Sequence, residues 1–190
     1  MLTTIALRPH RWFSCLRLRR AEPGPRETPV SESSRLETLA TCAWIREKES
    51  LLIQGPPGVG KTHLAVGLAV RAIANGFSVA FHRIEDLLAA LERDADVSPE
   101  RLHGRKHINA ALLVVDELGV APMTREEARL FLGLVSYRDG RGSMLVTTNK
   151  SIAGCPAVLT GDEVLATAIV DRLLHKSHVL DMRGMDYRLR

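Results

Sequence analysis

The stretch Gly55-Pro56-Pro57-Gly58-Val59-Gly60-Lys61-Thr62 constrains this chain more than any other. It lies between an apolar run, Leu51-Leu52-Ile53-Gln54, and a segment with helical spacing of apolar residues at Leu64, Leu68, Ala69 and Ile73, closed by Gly76. Strand, glycine turn and helix in that order aim successive backbone N–H groups at an anion, and the helix start adds its positive dipole end. Glycine allows the backbone to approach the phosphates closely. Chance alone would produce the pattern in about one per cent of chains this long, before its setting is considered. Gly55 to His63 is therefore the expected nucleotide-binding segment. Lys61 would carry charge to the β- and γ-phosphates of ATP, and the Thr62 hydroxyl would ligate Mg2+.

Beyond that loop, two periodicities alternate. Leu36, Leu39, Ala40 and Trp44 predict a short leading helix. Phe77 to Phe81 reads as a second strand, followed by helical spacing at Ile84, Leu87, Leu88 and Leu91, with a further helical piece opening after Ser98-Pro99. Leu112 to Val115 is a third strand. Thr124-x-x-Glu127 is a capping-box signature before a helix carrying Ala128, Phe131, Leu132 and Val135 on one face. Ser143 to Thr147, a helix from Asp162 to Lys176 with Val164, Leu165, Ala168, Ile169 and Leu173 inward, and a strand from His178 to Met182 complete the order. Strands that are apolar on both faces and alternate with helices predict an α/β fold, a five-stranded parallel sheet covered on both sides. Ligands then collect at the C-terminal ends of the strands, where Gly55, Asp116 and Asn149 all fall.

Val114-Val115-Asp116-Glu117 ends the third strand with two carboxylates. Asp116 is placed to hold the metal with Thr62, and Glu117 to polarise an attacking water. Asn149 either hydrogen-bonds the γ-phosphate or water, or merely caps a strand end. Arg172, on the last helix, reads either as a finger reaching a neighbouring subunit's γ-phosphate or as a surface ion pair worth under about 1 kcal/mol.

Residues 1–34 read as a separate basic, poorly structured arm, and residues 35–190 as the folded domain. Arg8, Arg11, Arg17, Arg19 and Arg20 occur there before any acid, and Ala21-Glu22-Pro23-Gly24-Pro25 interrupts regular structure. The arm is compatible with a transit peptide, a nucleic-acid-touching tail or a stretch without function. The net charge of +4 is compatible with an acidic polymer as partner. Cys15, Cys42 and Cys155 are too scattered for a zinc site or disulfide framework, and reduced thiols in the cytoplasm follow. No apolar run is long enough to span a bilayer.

Taken together, Gly55-Pro-Pro-Gly-Val-Gly-Lys-Thr-His-Leu64, Val115-Asp-Glu-Leu-Gly119, Thr147-Thr-Asn-Lys150, Gly161-Asp-Glu-Val-Leu-Ala-Thr-Ala with Asp171-Arg-Leu-Leu-His175, and Arg183-Gly184 with Tyr187-Arg188-Leu189-Arg190 resemble the IstB-type transposition helper ATPases. These are AAA+ proteins, kin to the DnaC-type helicase loaders, and the resemblance covers residues 35–190. It implies an ATP- and Mg2+-dependent ATPase that self-associates, binds DNA and cooperates with the transposase of an insertion sequence. By motif, Lys61, Asp116, Glu117, Asn149 (first sensor) and Arg172 (trans finger) become the catalytic set. Residues 84–108 correspond to an insertion that can face DNA. Residues 1–34 do not resemble the family's helical adaptor, which bears on transposase contact. Little or no lid domain follows Asn149, leaving Arg188 as the second-sensor candidate.

Arg101, Arg105 and Lys106, with His103 and His107, form the densest basic cluster, and Arg138 and Arg141 a smaller one. Such residues would hold duplex DNA through phosphates without sequence preference, or would simply form a solvated basic face. Three alternatives to a transposition helper stand: a replicative helicase loader, a nucleotide-switched DNA-binding module with little turnover, and a small-molecule kinase. The kinase lacks a visible acceptor pocket and arginine-bearing lid.

Overall fold

The computed structural model describes residues 16–20, 32–94, 105–151 and 161–183. Its elements run β1 (Leu16–Arg20), α1 (Glu32–Ala40), α2 (Ala43–Arg46), β2 (Ser50–Gln54), α3 (Lys61–Ala74), β3 (Val79–Arg83), α4 (Ile84–Asp94), α5 (Lys106–Asn109), β4 (Leu112–Leu118), α6 (Arg125–Arg138), β5 (Ser143–Thr148), α7 (Glu163–Leu174) and β6 (Ser177–Met182). The sheet order is β1-β6-β2-β5-β4-β3. The five strands β2 to β6 are mutually parallel, as the alternation of strands and helices predicts. Their C-terminal ends therefore share one edge, with the loop after β2 flanked by β6 and β5, and β4 next beyond β5.

A sixth strand comes from the arm and corrects the expectation of an unstructured stretch there. β1 pairs antiparallel with β6, Leu18 opposite Leu180. Leu16-Arg17-Leu18-Arg19 has the period of two that favours a strand, and an antiparallel edge strand on a parallel sheet is common. The rest of the arm before Glu32 lies outside the described residues. So do the expected helix start at Ser98-Pro99, and Arg188.

Period-two burial divides the core. Leu113, Val115 and Val146 face α4, α6 and α7, packing with Leu87, Phe131 and Ile169. Leu112, Val114 and Leu145 face the other way, with Leu39, Trp44, Ala65 and Leu68. Full burial of each large aliphatic contributes about 1.5–3 kcal/mol. The capping box forms as read: Thr124 N–H donates to Glu127 Oε2 at 2.6 Å, and Glu127 N–H to Thr124 Oγ1 at 3.2 Å.

Four local expectations need correction. The leading helix is broken at Cys42, whose φ of 59° lies in the left-handed region. Ile73 is 60% exposed, because the buried stripe of α3 is Ala65, Leu68, Ala69 and Ala72. Ile73 sits roughly 90° round the helix from the centre of that stripe. Val164 is 81% exposed, nearly opposite the buried Ala166, Ile169 and Leu173. The last concerns Arg138, which is not half of a surface basic pair with Arg141. It is 1% exposed and donates to the carbonyls of Ile108, Ala110 and Ser143, each at 2.8 Å. Burial lowers its pKa to about 10, so it stays charged near neutrality.

Candidate nucleotide site

The loop after β2 needs its glycines for identifiable reasons. Gly58 and Gly60 take φ of 78° and 92°, a region that costs an L side chain strain, and Gly60 leads into α3 as its N-cap. Gly55, at φ 153°, passes so close to β6 that a Cβ there would stand 2.2 Å from the Met182 carbonyl oxygen. That contact is backbone on backbone and cannot be relieved by a rotamer. Gly55→Ala is expected to cost about 3 kcal/mol or more, read as a lowered urea midpoint. A midpoint like the parent's would show that this approach is not fixed.

Pro56, Pro57 and His63 are exposed, and Val59 is buried as an apolar anchor for the loop. Lys61 is 7% exposed and bridges its own loop, donating to the carbonyls of Gly55 at 2.8 Å and Pro56 at 2.7 Å. It thus lies across the concavity into which the N–H groups of the loop would receive phosphate.

Thr62, at the first turn of α3, donates to the two oxygens of Asp116 at 3.0 and 3.1 Å. Asp116 is 3% exposed and also accepts a hydrogen bond from Thr147 Oγ1 on β5. A hydroxyl and a carboxylate are hard oxygen donors, and Mg2+ takes one or two such protein ligands while keeping waters and phosphate oxygens. The pair fits that ion. Among the described residues there is no cluster of three or more His, Cys, Asp or Glu able to hold a metal.

Glu117 sits at an irregularity within β4. The β4–β5 register breaks between Val115 and Leu118, and Glu117 has φ 68°. The Thr147 hydroxyl accepts from Glu117 N–H at 3.0 Å, so one threonine holds both acidic residues. Strain in a non-glycine residue persists only where the surroundings fix it, and it concentrates at functional sites. The Glu117 carboxylate meets Arg83 at the end of β3, Nη2 to Oε2 at 3.2 Å. Sequence reasoning missed Thr147 and Arg83. For Thr147 the signal was a hydroxyl two residues before Asn149 in a strand adjoining the acids; for Arg83 there was only a charge at a strand end.

Asn149 follows β5 and is half-buried, its side chain without a hydrogen bond among the described residues. Gly55 N–H donates to the Thr148 carbonyl at 3.3 Å, which puts Asn149 beside the phosphate loop. Arg172 is elsewhere. It is exposed in the last turn of α7 and lines a small hollow with Lys48, Ser50, Asp139 and His175, at the edge where β2 and β5 begin. The phosphate loop is at the opposite edge. Arg172 makes no ion pair with a described carboxylate.

Of the basic cluster, Arg101 lies outside the described residues, and only the backbone of Lys106 is described. Arg105 pairs with Asp94 at 2.9 Å, and His107, 6% exposed, lies 3.0 Å from the other oxygen of Asp94. Burial lowers the His107 pKa despite the nearby Asp94. These groups border a cavity of about 530 Å³ on the outer edge at β3, away from the phosphate loop. Part of the charge counted there is thus already balanced.

The description "IstB-like ATP binding protein" belongs to the family whose model matches residues 26–190. An ATP-binding protein of insertion sequence IS21 from Pseudomonas aeruginosa is 41% identical over 152 residues, covering 80% of this chain and 57% of its own length. A counterpart from insertion sequence IS5376 of Geobacillus stearothermophilus is 35% identical, covering 85% of this chain and 64% of its own length. The chain thus spans about three-fifths of these relatives. Among solved structures, the DnaC helicase loader superimposes with a TM-score of 0.63 at 19% identity, covering 92% of this chain and 99% of that one. The replication initiator DnaA bound to AMPPCP and single-stranded DNA gives 0.59 at 16% identity, covering 83% and 49%. Those two likenesses establish the fold, that of P-loop AAA+ proteins. With a phosphate loop, paired acids at the adjoining strand ends and a family match over nearly its whole length, the chain belongs to the IstB-like ATP-binding proteins of insertion sequences.

Proposed function

We propose that this protein hydrolyses ATP with Mg2+ as a helper in DNA transposition, acting in the cytoplasm as a homo-oligomer on duplex DNA with the transposase of an insertion sequence. The observation that carries the proposal is the linkage of Thr62, Asp116, Thr147 and Glu117 across the ends of three neighbouring elements. Mg2+, when bound by Thr62 and Asp116, would neutralise charge on the phosphates. Lys61 exchanges two carbonyls for phosphate oxygens. Glu117, once turned from Arg83, accepts a proton from water as its oxygen bonds to the γ-phosphorus. The bond to the bridging oxygen breaks with its electron pair staying on ADP, so ADP, phosphate and one proton leave. Asn149 orients the water or the γ-phosphate. Arg172, unable to serve its own chain's site from the far edge, serves a neighbour's.

DNA contact is assigned to Arg101, Arg105 and Lys106 through phosphates. Phosphate release should rise several-fold with duplex DNA at about 50 mM salt, and the stimulation should vanish near 200 mM. DNA-independent turnover would sink the DNA assignment. ATP binding without turnover would favour a nucleotide-switched module instead. The full-length match to the DnaC fold favours a helicase loader as the second reading. Capture of a replicative helicase rather than a transposase would establish it. No described helix is long and apolar enough to cross a membrane.

A further inference from the structure

We infer that Lys48 is a second cation acting in trans, placed with Arg172 to hold the γ-phosphate of a nucleotide bound by a neighbouring copy of this chain. The inference rests on the ATPase reading above and adds to it a residue that no motif marks.

Lys48 lies in the turn between α2 and β2, at φ 57°. Its backbone is fixed there by Lys48 N–H donating to the Ile45 carbonyl at 3.2 Å and Glu49 N–H to that of Trp44 at 2.9 Å. A non-glycine residue held in the left-handed region costs of order 1 kcal/mol or more, and glycine would be free of that cost. The turn thus keeps a lysine where its backbone geometry favours glycine. The side chain is exposed and makes no ion pair with a described carboxylate, although Glu47 and Glu49 flank it in sequence. Glu49 is taken by His178, Nε2 to Oε2 at 2.6 Å.

Lys48 and Arg172 line the same hollow. Asp139, the carboxylate that shares it, is engaged by His175 Nδ1 at 3.2 Å. Beneath lies Arg138, a buried cation whose Nε has no hydrogen-bond acceptor. The hollow therefore gathers Lys48, Arg138 and Arg172 against one acid. Its volume of about 10 Å³ admits a single water. An anion seated here is presented from outside, not enclosed. The chain's own phosphate loop is at the other edge of the sheet, so the phosphate comes from a second copy. Spread charge on the γ-phosphoryl oxygens in the transition state is what such cations stabilise.

The test is steady-state phosphate release by the full chain at concentrations where it oligomerises. Lys48→Ala should lower kcat about 10- to 100-fold, with the nucleotide Kd of the chain unchanged. Lys48→Arg should retain most of the rate. Lys48→Gly should lose the rate while its thermal midpoint stays at or above the parent's, separating lost charge from lost fold. Mixing Lys48→Ala with Lys61→Ala should exceed the rate of either alone, because the latter subunits still present Lys48 to the former's nucleotide. Full activity of Lys48→Ala, weakened nucleotide binding by its own chain, or a silent mixture would each overturn the assignment. If Arg172→Ala loses turnover while Lys48→Ala keeps it, only the Lys48 inference falls. A parent chain that binds ATP and releases no phosphate overturns both readings.

Discussion

Lys61→Ala will bind ATP on the order of 100-fold more weakly than the parent chain, or not measurably, in calorimetry with Mg2+ present. In the structure the ammonium donates to two carbonyls of its own loop, which hold it over the phosphate loop. Nucleotide replaces neutral acceptors with charged phosphate oxygens, and hydrogen bonds to charged groups contribute about 1.5–3 kcal/mol each. Two of them correspond to roughly two to four powers of ten in affinity. Alanine also leaves the Gly55 and Pro56 carbonyls without these donors, a loss of about 1–2 kcal/mol of stability. The variant should therefore melt several degrees lower yet stay folded. Unchanged affinity in folded protein would mean that nucleotide binds elsewhere, and the assignment of the loop would fail.

Arg172→Ala should retain nucleotide affinity and lose about 10³-fold or more in turnover, within the 10³–10⁵ that an arginine finger contributes elsewhere. The reason is positional. Arg172 lies where β2 and β5 begin, and the phosphate loop lies where they end. Mixing Arg172→Ala with Glu117→Gln should restore part of the rate. The first supplies an intact base and phosphate loop, and the second supplies the finger. Absence of rescue, with both variants folded and able to associate, would reduce Arg172 to a local structural role. Loss of affinity in Arg172→Ala alone would also argue against action in trans.

Much of this was legible in the sequence because it was local. The phosphate loop, the capping box at Thr124 and Glu127 and the five parallel strands all depend on residues close in sequence. What escaped depends on partners far away. Thr147 joins Asp116 and Glu117 from 30 positions off, and Arg83 reaches Glu117 across two strand ends. The apolar residues Ile73 and Val164 were placed inward by type, and the angular position of the true buried stripe turns them out. β1 was obscured by its arginines, although its alternation was in view. Arg138 was the converse case: a charged helix-end residue reads as surface, and only the converging carbonyls of α5, the loop after it and β5 make its burial tolerable.

Arg138 also determines how an ionic-strength titration of this protein will behave. Its charge is met by three fixed carbonyl dipoles and screened from mobile ions by burial. Dissolved electrolyte dissociates exposed cations from a polyanion, but it has little hold on a guanidinium locked in this way. The joint beneath Arg172 and Lys48 should stay rigid at salt concentrations that screen the exposed cations around it. Salt should therefore weaken the exposed cations around this joint well before it loosens the joint itself.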